Sequence, residues 1–322
     1  MKLDFIIPHY NEPFEVGKRF FETLALQRGA DFSEIRVLLI HDGSEMFPEE
    51  TFKDYPFVVE QHKIAHKGVS AARNYGLDMA KAKWVSFCDF DDFYTDVYAL
   101  KVILESLETD DFDLLWNAIY MEDYKDGKFK VYPMPKFNMI FIHNKYIRRE
   151  FLLETGLRFN EKLEYSEDSS FLAVLNILLE QNRIGKIVTA SPLYTWAYRI
   201  GSCTTSKENK KRNVEHLFRA NRYIAREFDR LKYPDAVLMR FRAVCDVYNA
   251  TTKEPEIDFT ELLIKTAVYW KANKEEISKQ DRKSLQKVLD NSVKTTRHGV
   301  PVDVERPSFA EWIKGLDKYT KG

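Results

Sequence analysis

WVSFCDFDDFY, residues 84–94, closes an apolar run with three aspartates in four positions, Asp89, Asp91 and Asp92. A short run that is apolar throughout reads as a strand covered on both faces. Carboxylates set this close repel one another, and burial adds to the cost of their charge. One reading is a strand that surfaces into an acidic turn or helix cap. The other is a strand end that delivers carboxylates to a ligand. The flanking sequence bears on the choice.

Upstream, residues 3–7 (LDFII) form a strand ended by Pro8, and residues 35–40 (IRVLLI) a fully apolar strand stopped by HDGS at 41–44. FVVE at 57–60 is a further short strand. Between them, residues 15–27 place Val16, Phe20, Phe21 and Leu24 at helical spacing. SAARNYGLDMAKA, 70–82, reads as a helix with Ser70 as its cap. Strands alternating with helices, each strand apolar on both faces, predict an α/β fold with a mostly parallel sheet flanked by helices. Such sheets bind ligands at the carboxyl ends of their strands, where HDGS and DFDD both fall. Downstream, residues 112–143 read as strands with a hairpin at YKDGKF, 124–129. Residues 145–156 and 167–182 read as helices, and 187–188 and 194–198 as strand-like. Past GSCTTS at 201–206 helical periodicity takes over, with Val214, Leu217, Phe218, Asn221, Ile224, Ala225, Phe228 and Leu231 on one face. The expected organisation is an α/β domain over 1–205 and a smaller all-helical domain over 206–322.

The 322 residues are 44% hydrophobic and 31% charged, as in an ordinary globular chain. Cys88, Cys203 and Cys245 are few, scattered and without CxxC spacing, which argues against a disulfide framework or zinc site and for a reducing, cytoplasmic home. The opening MKLDFIIPHYNE is too short in its apolar part for a signal peptide. No run approaches the roughly 18 apolar residues of a membrane span, so no integral membrane segment is expected, while peripheral membrane contact stays open. The net charge of −1 hides an asymmetry, since residues 203–322 carry 25 Lys and Arg against 18 Asp and Glu. A basic C-terminal part can serve a polyanionic partner, or be an uneven surface.

Two carboxylates one residue apart can hold a divalent cation, and hard oxygen ligands suit Mg2+ or Mn2+. A cation would also offset the repulsion within DFDD. That cluster follows IIPHYNE at 6–12, HDGS at 41–44 and KGVSAARNYGLDMA at 67–80, and precedes EYSEDSSF at 164–171. With these motifs in this order, residues 3–205 resemble the family 2 glycosyltransferases of the GT-A fold, which are inverting and nucleotide-sugar dependent.

The resemblance implies a role for each matching position. Pro8, Tyr10, Asn11 and Glu12 of PHYNE line the nucleotide, with Tyr10 near the base. Asp42 of HDGS contacts base or ribose; His41 stands where the family usually has another aspartate, and is a polar wall or, less in keeping, a metal ligand. Lys67 lies in the loop before the helix that carries Arg73, which binds phosphate or holds the aspartates. Asp89 and Asp91 serve the ribose side and the metal, Mn2+ or Mg2+, whose charge steadies the departing nucleoside diphosphate. Asp168 is the base that deprotonates the acceptor hydroxyl, with Glu167 beside it, and Arg199 closes over the diphosphate. Trp196 belongs to WAYRIGS, 196–202, which resembles the family's flexible loop.

The expected donor is UDP-linked, and the expected acceptor an envelope glycan or lipid-linked sugar. Arg219, Arg222, Arg226 and Arg230 recur at helical spacing, with Lys207, Lys210, Lys211 and Arg212 before them. They form either a solvated face paired with Glu215, Glu227 and Asp229 or a seat for a polyanion, which keeps open hydroxymethylated viral DNA as an alternative acceptor. A non-catalytic sugar-nucleotide-binding protein is the other alternative. PHYNEPF lacks the Gly-rich phosphate loop of a nucleotidyltransferase.

Overall fold

The computed structural model describes residues 1–108, 111–125, 127–135, 138–182, 185–189, 193–199, 209–294 and 306–320. The chain divides into two compact units, Met1–Ile200 and Gly201–Gly322. The expected boundary at 205 lies outside the described residues, as do Cys203, Lys207 and the Gly201–Ser202 end of the WAYRIGS loop.

The first unit is built on a seven-stranded sheet: β1 (Leu3–His9), β2 (Ile35–Asp42), β3 (Val58–Ile64), β4 (Trp84–Phe87), β6 (Leu114–Asn117), β9 (Lys145–Arg148) and β10 (Lys186–Thr189). Its order is β10-β6-β9-β4-β1-β2-β3. All neighbours run parallel except β9, which is antiparallel to both β4 and β6. Every residue of β2 is buried, the apolar run 37–40 as in a sheet covered on both faces and Arg36 paired with Asp4 at 2.9 Å. Helices α1 (Phe14–Ala25), α2 (Val69–Met79), α3 (Ala99–Ser106), α4 (Arg149–Thr155) and α5 (Glu167–Gln181) complete the unit. A second sheet, ordered β5-β11-β7-β8, joins β5 (Phe93–Tyr94), β7 (Tyr120–Lys125), β8 (Lys128–Pro133) and β11 (Tyr194–Trp196). The β7–β8 hairpin falls where the Asp-Gly pair predicts it, with Gly127 at φ 75°.

Three expectations are corrected. Pro8 does not end β1, because the strand keeps its register to His9, opposite His41. Residues 145–148 are strand rather than the start of a helix, since their cross-strand partners bury Tyr146 and Ile147 completely. Gly68, at φ 94°, rather than Ser70, stands before α2. Ser70 is instead buried within the helix and donates to the Leu163 carbonyl at 3.2 Å.

The second unit is helical where described: α6 (Lys210–Arg230), α7 (Ala236–Lys253), α8 (Thr260–Ser278), α9 (Arg282–Lys294) and α10 (Phe309–Leu316). Helix α7 packs on α6, α8 and α9. On α6, Phe218, Asn221, Ile224, Ala225 and Phe228 are buried, the face the periodicity predicts. Among the described residues no helix is long and apolar enough to cross a membrane, and Cys88 and Cys245 are free and buried.

Candidate active site

The parallel strands β1, β2 and β4 point their carboxyl ends to one edge. The antiparallel β9 begins at that edge, so the segment preceding it, 138–144, also enters there. The DFDD segment is a turn past the end of β4, with the Asp92 amide 3.4 Å from the Asp89 carbonyl. Phe90 turns inward against Gly17 of α1, where an added Cβ would lie 2.3 Å from the Phe90 ring. The three aspartates are left at the strand edge.

Each aspartate meets a different cation. Asp89 accepts from Arg73 Nη2 at 2.9 Å and lies 3.1 Å from His143 Nε2. Asp91 accepts from Arg199 Nε at 2.8 Å, and the same guanidinium reaches Glu12 at 3.1 Å. Asp92 is fully buried; its Oδ1 accepts from the Ala197 amide at 2.9 Å, while its Oδ2 has no hydrogen bond and lies 3.9 Å from His143 Nδ1. Burial raises the proton affinity of Asp92 well above the carboxylate range; His143 opposes it and the neighbouring aspartates add to it. Burial also opposes the charge on Asp89, but His143 and Arg73 outweigh it and hold that carboxyl low. His143 itself is disfavoured as a cation by burial, yet Asp89 and Asp92 push it up to about 9.

Ligand atoms of Asp89, Asp92 and His143 all lie within 4.8 Å of one another. Neither imidazole nitrogen makes an aligned hydrogen bond, despite the short approach to Asp89. Two carboxylates and an imidazole, Asp89 half-buried and Asp92 and His143 buried, fit a divalent cation, and the nitrogen ligand suits Mn2+ better than Mg2+.

Arg73 organises the second half of the site. It is only 2% exposed, and its Nη1 donates to Asp168 at 2.6 Å and to Glu167 at 3.1 Å while Nη2 holds Asp89. Of its two expected uses, the structure displays the holding of carboxylates. The local sequence explains the placement. Ser70, Arg73 and Asn74 share one face of α2 at spacings of three and four. Asn74 exchanges two hydrogen bonds with the backbone of Phe159, at 3.0 and 2.9 Å, and Ser70 ties Leu163. The 159–168 segment is thereby pinned to α2, with Phe159 stacked on Phe171 at 4.2 Å. Glu167 and Asp168 open α5, where the helix dipole favours acidic residues. Asp168 has both oxygens engaged, since Oδ2 accepts from the Ile142 amide at 3.1 Å. Burial and the charge of Asp168 raise the Glu167 carboxyl to about 7, against the pull of Arg73.

At the ends of β1 and β2, Tyr10 is 48% exposed and stacks on His66 with ring centroids 4.2 Å apart. Asn11 adopts φ 60°, and Glu12 accepts from the Tyr10 amide at 3.0 Å. Asp42 is buried and accepts from the amides of Lys67 and Gly68 at 2.7 and 2.8 Å, which shapes the loop before α2. The Lys67 side chain is exposed.

His41 is buried, with Nδ1 2.9 Å from His9 Nδ1 and Nε2 2.9 Å from Gln61 Oε1. The Gln61 amide is oriented by the Phe47 backbone, so Oε1 is the acceptor and His41 Nε2 the donor. His9 Nε2 faces the Glu12 carbonyl at 2.7 Å and must donate too. The Ser44 hydroxyl lies 3.2 Å from His9 Nδ1 and can donate to it. Both His41 ring nitrogens thus face protein partners.

Trp196 is half-buried against Phe141, with centroids 5.4 Å apart. In the second unit, Arg219 pairs with Glu215 at 3.1 Å and Arg230 with Glu227 at 2.8 Å on their own helix. Arg222 covers the Phe218 and Tyr269 rings, and Arg226 is exposed.

Sequence reasoning missed His143, Lys145 and His9, and did not join Asp92 to a group that could hold a cation. His143 is 54 residues from Asp89, and no local pattern in FIHNK announces their meeting. Lys145 is fully buried, and burial lowers its ammonium to about 7 against the attraction of Asp168.

Comparison with known proteins follows the same outline. The model of the family described as glycosyl transferase family 2 matches residues 4–170. The minor teichoic acid biosynthesis protein GgaA of Bacillus subtilis (strain 168) is 29% identical over 209 residues, covering 59% of this chain and 46% of GgaA. The uncharacterized glycosyltransferase EpsJ of the same organism is 25% identical over 190 residues, 52% of this chain and 53% of EpsJ. The chain thus spans about half the length of these curated relatives. The crystal structure of S. aureus TarS 1-349 in complex with UDP-GlcNAc superposes with a TM-score of 0.65 at 17% identity, covering 93% of this chain and 92% of that one. The mannosyltransferase PcManGT from Pyrobaculum calidifontis, in complex with GDP-Man and Mn2+, gives 0.52 at 14% identity, covering 91% and 86%. The α/β architecture is therefore the GT-A-like one these structures share. With the family model covering more than half of it, the chain belongs to glycosyl transferase family 2.

Proposed function

We propose that this protein moves a sugar, with inversion, from a UDP-linked donor to a hydroxyl of a cell-envelope glycan or lipid-linked sugar. The observation that carries the reading is the continuous chain of contacts from Asp92 and His143 through Asp89 and Arg73 to Asp168, all at the carboxyl edge of the sheet. The donor's nucleotide would lie over Pro8, Tyr10, Asn11, Glu12 and Asp42, with Lys67 at its phosphates. Asp89, Asp92 and His143 would hold Mn2+ or Mg2+, and Asp91 would join them once Arg199 leaves it for the diphosphate. When bound, the cation supplies charge neutralisation for the departing nucleoside diphosphate.

Asp168 takes the proton of the acceptor hydroxyl as its oxygen attacks the anomeric carbon. Arg73 and the Ile142 amide fix that carboxylate, so it is aimed before the acceptor arrives. Glu167 shares Arg73, and its proton affinity, raised to about 7, leaves it only partly ionised beside the base at neutral pH. Trp196, half-exposed beyond Phe141, offers a face to the acceptor sugar. The teichoic acid role in the name of GgaA and the UDP-GlcNAc held by TarS favour an envelope polymer and a UDP-linked donor. The DNA reading is the weaker, since Arg219 and Arg230 already pair with glutamates of their own helix.

Thermal unfolding with a panel of sugar nucleotides, each with and without Mn2+, tests the proposal. A UDP-sugar should raise Tm in a Mn2+-dependent way, by mass action on the folded state. No protection by any sugar nucleotide with Mn2+ would overturn it.

A further inference from the structure

Lys145 raises a physical question that the site has not answered. It opens β9, and its side chain is completely buried. Among the described residues no carboxylate pairs with its ammonium. A buried charge without an opposite charge is costly, and an apolar side chain of the same length would fill the space more cheaply. The ammonium instead donates to the Phe141 carbonyl at 2.5 Å and to the His143 carbonyl at 3.2 Å. It also sits 4.6 Å from the ring centroid of Trp116, its cross-strand partner on β6.

One of these contacts fixes a peptide plane. In the trans peptide that joins Phe141 to Ile142 the carbonyl and the N–H point opposite ways, so the Phe141 carbonyl held by Nζ turns the Ile142 N–H outward, and it donates to Asp168 at 3.1 Å. The next side chain, His143, is presented to Asp89 and Asp92. The ends of the segment are secured independently. Asn138 accepts from the Phe141 amide at 3.1 Å, and Asn144, at φ 56°, donates to the Ala118 carbonyl at 2.7 Å and accepts from Tyr146 at 3.0 Å. In the middle, where both functional groups originate, Lys145 holds the Phe141 and His143 carbonyls.

We infer that Lys145 is a positioning residue: its ammonium holds the 141–143 backbone so that one short segment serves both the base, through the Ile142 amide, and the cation site, through the His143 imidazole. The inference rests on the reading of Asp168 as base and of Asp89, Asp92 and His143 as the cation site.

The test uses the full chain with Lys145→Met, which keeps the bulk and removes the donors, and Lys145→Gln, which restores two N–H groups. Mn2+ affinity is measured by titration calorimetry without nucleotide, and kcat and KM by release of UDP from UDP-GlcNAc. Loss of a residue that orients a ligand costs roughly 10–100-fold in metal affinity or activity. Lys145→Met should fall in that range for both Mn2+ affinity and kcat, with the donor KM, read at saturating Mn2+, within about twofold, and Lys145→Gln should recover most of each. Wild-type Mn2+ affinity and kcat in Lys145→Met, with only a lowered Tm, would make Lys145 a purely structural anchor and overturn the inference. If Lys145→Met does not fold, amide exchange in the wild type decides: the Ile142 amide should exchange only on global unfolding, and fast exchange would contradict the clamp. His143→Ala and Asp168→Asn run alongside. If neither changes Mn2+ affinity or kcat, the reading of the site has failed; if they do and Lys145→Met does not, this inference alone has failed.

Discussion

Arg73 shows how one side chain can decide a site. Its planar fork serves Asp89, Glu167 and Asp168 together, a geometry that a lysine's single nitrogen cannot copy. The roles of the two neighbouring carboxylates separate under substitution. Asp168→Asn should leave UDP-sugar binding within about twofold while lowering kcat by roughly 10²–10⁴-fold, as for a lost general base. Glu167→Gln should cost less, because its neighbour keeps Arg73 and the Ile142 amide. Steady-state kinetics with the acceptor measures both, and a larger loss in Glu167→Gln would move the base to Glu167. His41 carries a pH signature. Burial, then the charge of His9, hold it at about 4, with Gln61 and Glu45 opposing and Lys63 adding to the depression. In the unfolded chain it would take up a proton below about 6.5. Its folded proton affinity is depressed, so the unfolded state binds more protons in the window between, and stability falls as pH drops from about 6.5 to about 4. The loss amounts to roughly 3 kcal/mol at most. Urea midpoints across that range should slope less steeply in His41→Asn than in the wild type, and equal slopes would contradict the assignment.

At the scale of elements, α2 is the clamp and β9 the entry. The double hydrogen bond between Asn74 and Phe159 is buried, so Asn74→Ala leaves a backbone N–H and a carbonyl without partners. A cost of about 1–3 kcal/mol is expected from urea unfolding, with kcat reduced because the Glu167–Asp168 segment loses its tether. A kcat equal to wild type would mean that α5 places the acidic pair unaided. Strands β1, β2 and β4 were legible because each apolar run is buried on both faces, and α6 because its apolar residues recur at helical spacing. The reversal of β9 was not legible. KYIR at 145–148 suits a helix as well as a strand by local preference, and only pairing with β4 and β6 settles it. That reversal brings in 138–144, which is why His143 and Lys145 were missed while DFDD, the SAARN helix and the acidic pair, each fixed by a strand end or helix start, were found. Ser70 was misjudged as a cap because a glycine at positive φ takes that place.

At the scale of the whole molecule, the charge asymmetry and the arginine stripe bear on the acceptor. If Arg219, Arg222, Arg226 and Arg230 met duplex phosphates, log affinity would fall with log salt by about 0.9 per contact. With two of the four already paired to glutamates, the expected outcome is no salt-sensitive duplex binding, and Arg222→Gln/Arg226→Gln should leave turnover on a glycan acceptor unchanged. Duplex binding whose salt slope flattens by nearly two in the double variant would restore the DNA reading. The central claim is that the acid cluster at the carboxyl edge binds a cation and, through it, the donor. Calorimetric titration of UDP-GlcNAc into the wild type and into Asp89→Ala, each with and without Mn2+, addresses it most directly. The wild type should bind the nucleotide sugar tightly only with Mn2+, and Asp89→Ala should bind it weakly in both conditions. Equal affinity in the two proteins with Mn2+ present would contradict the account.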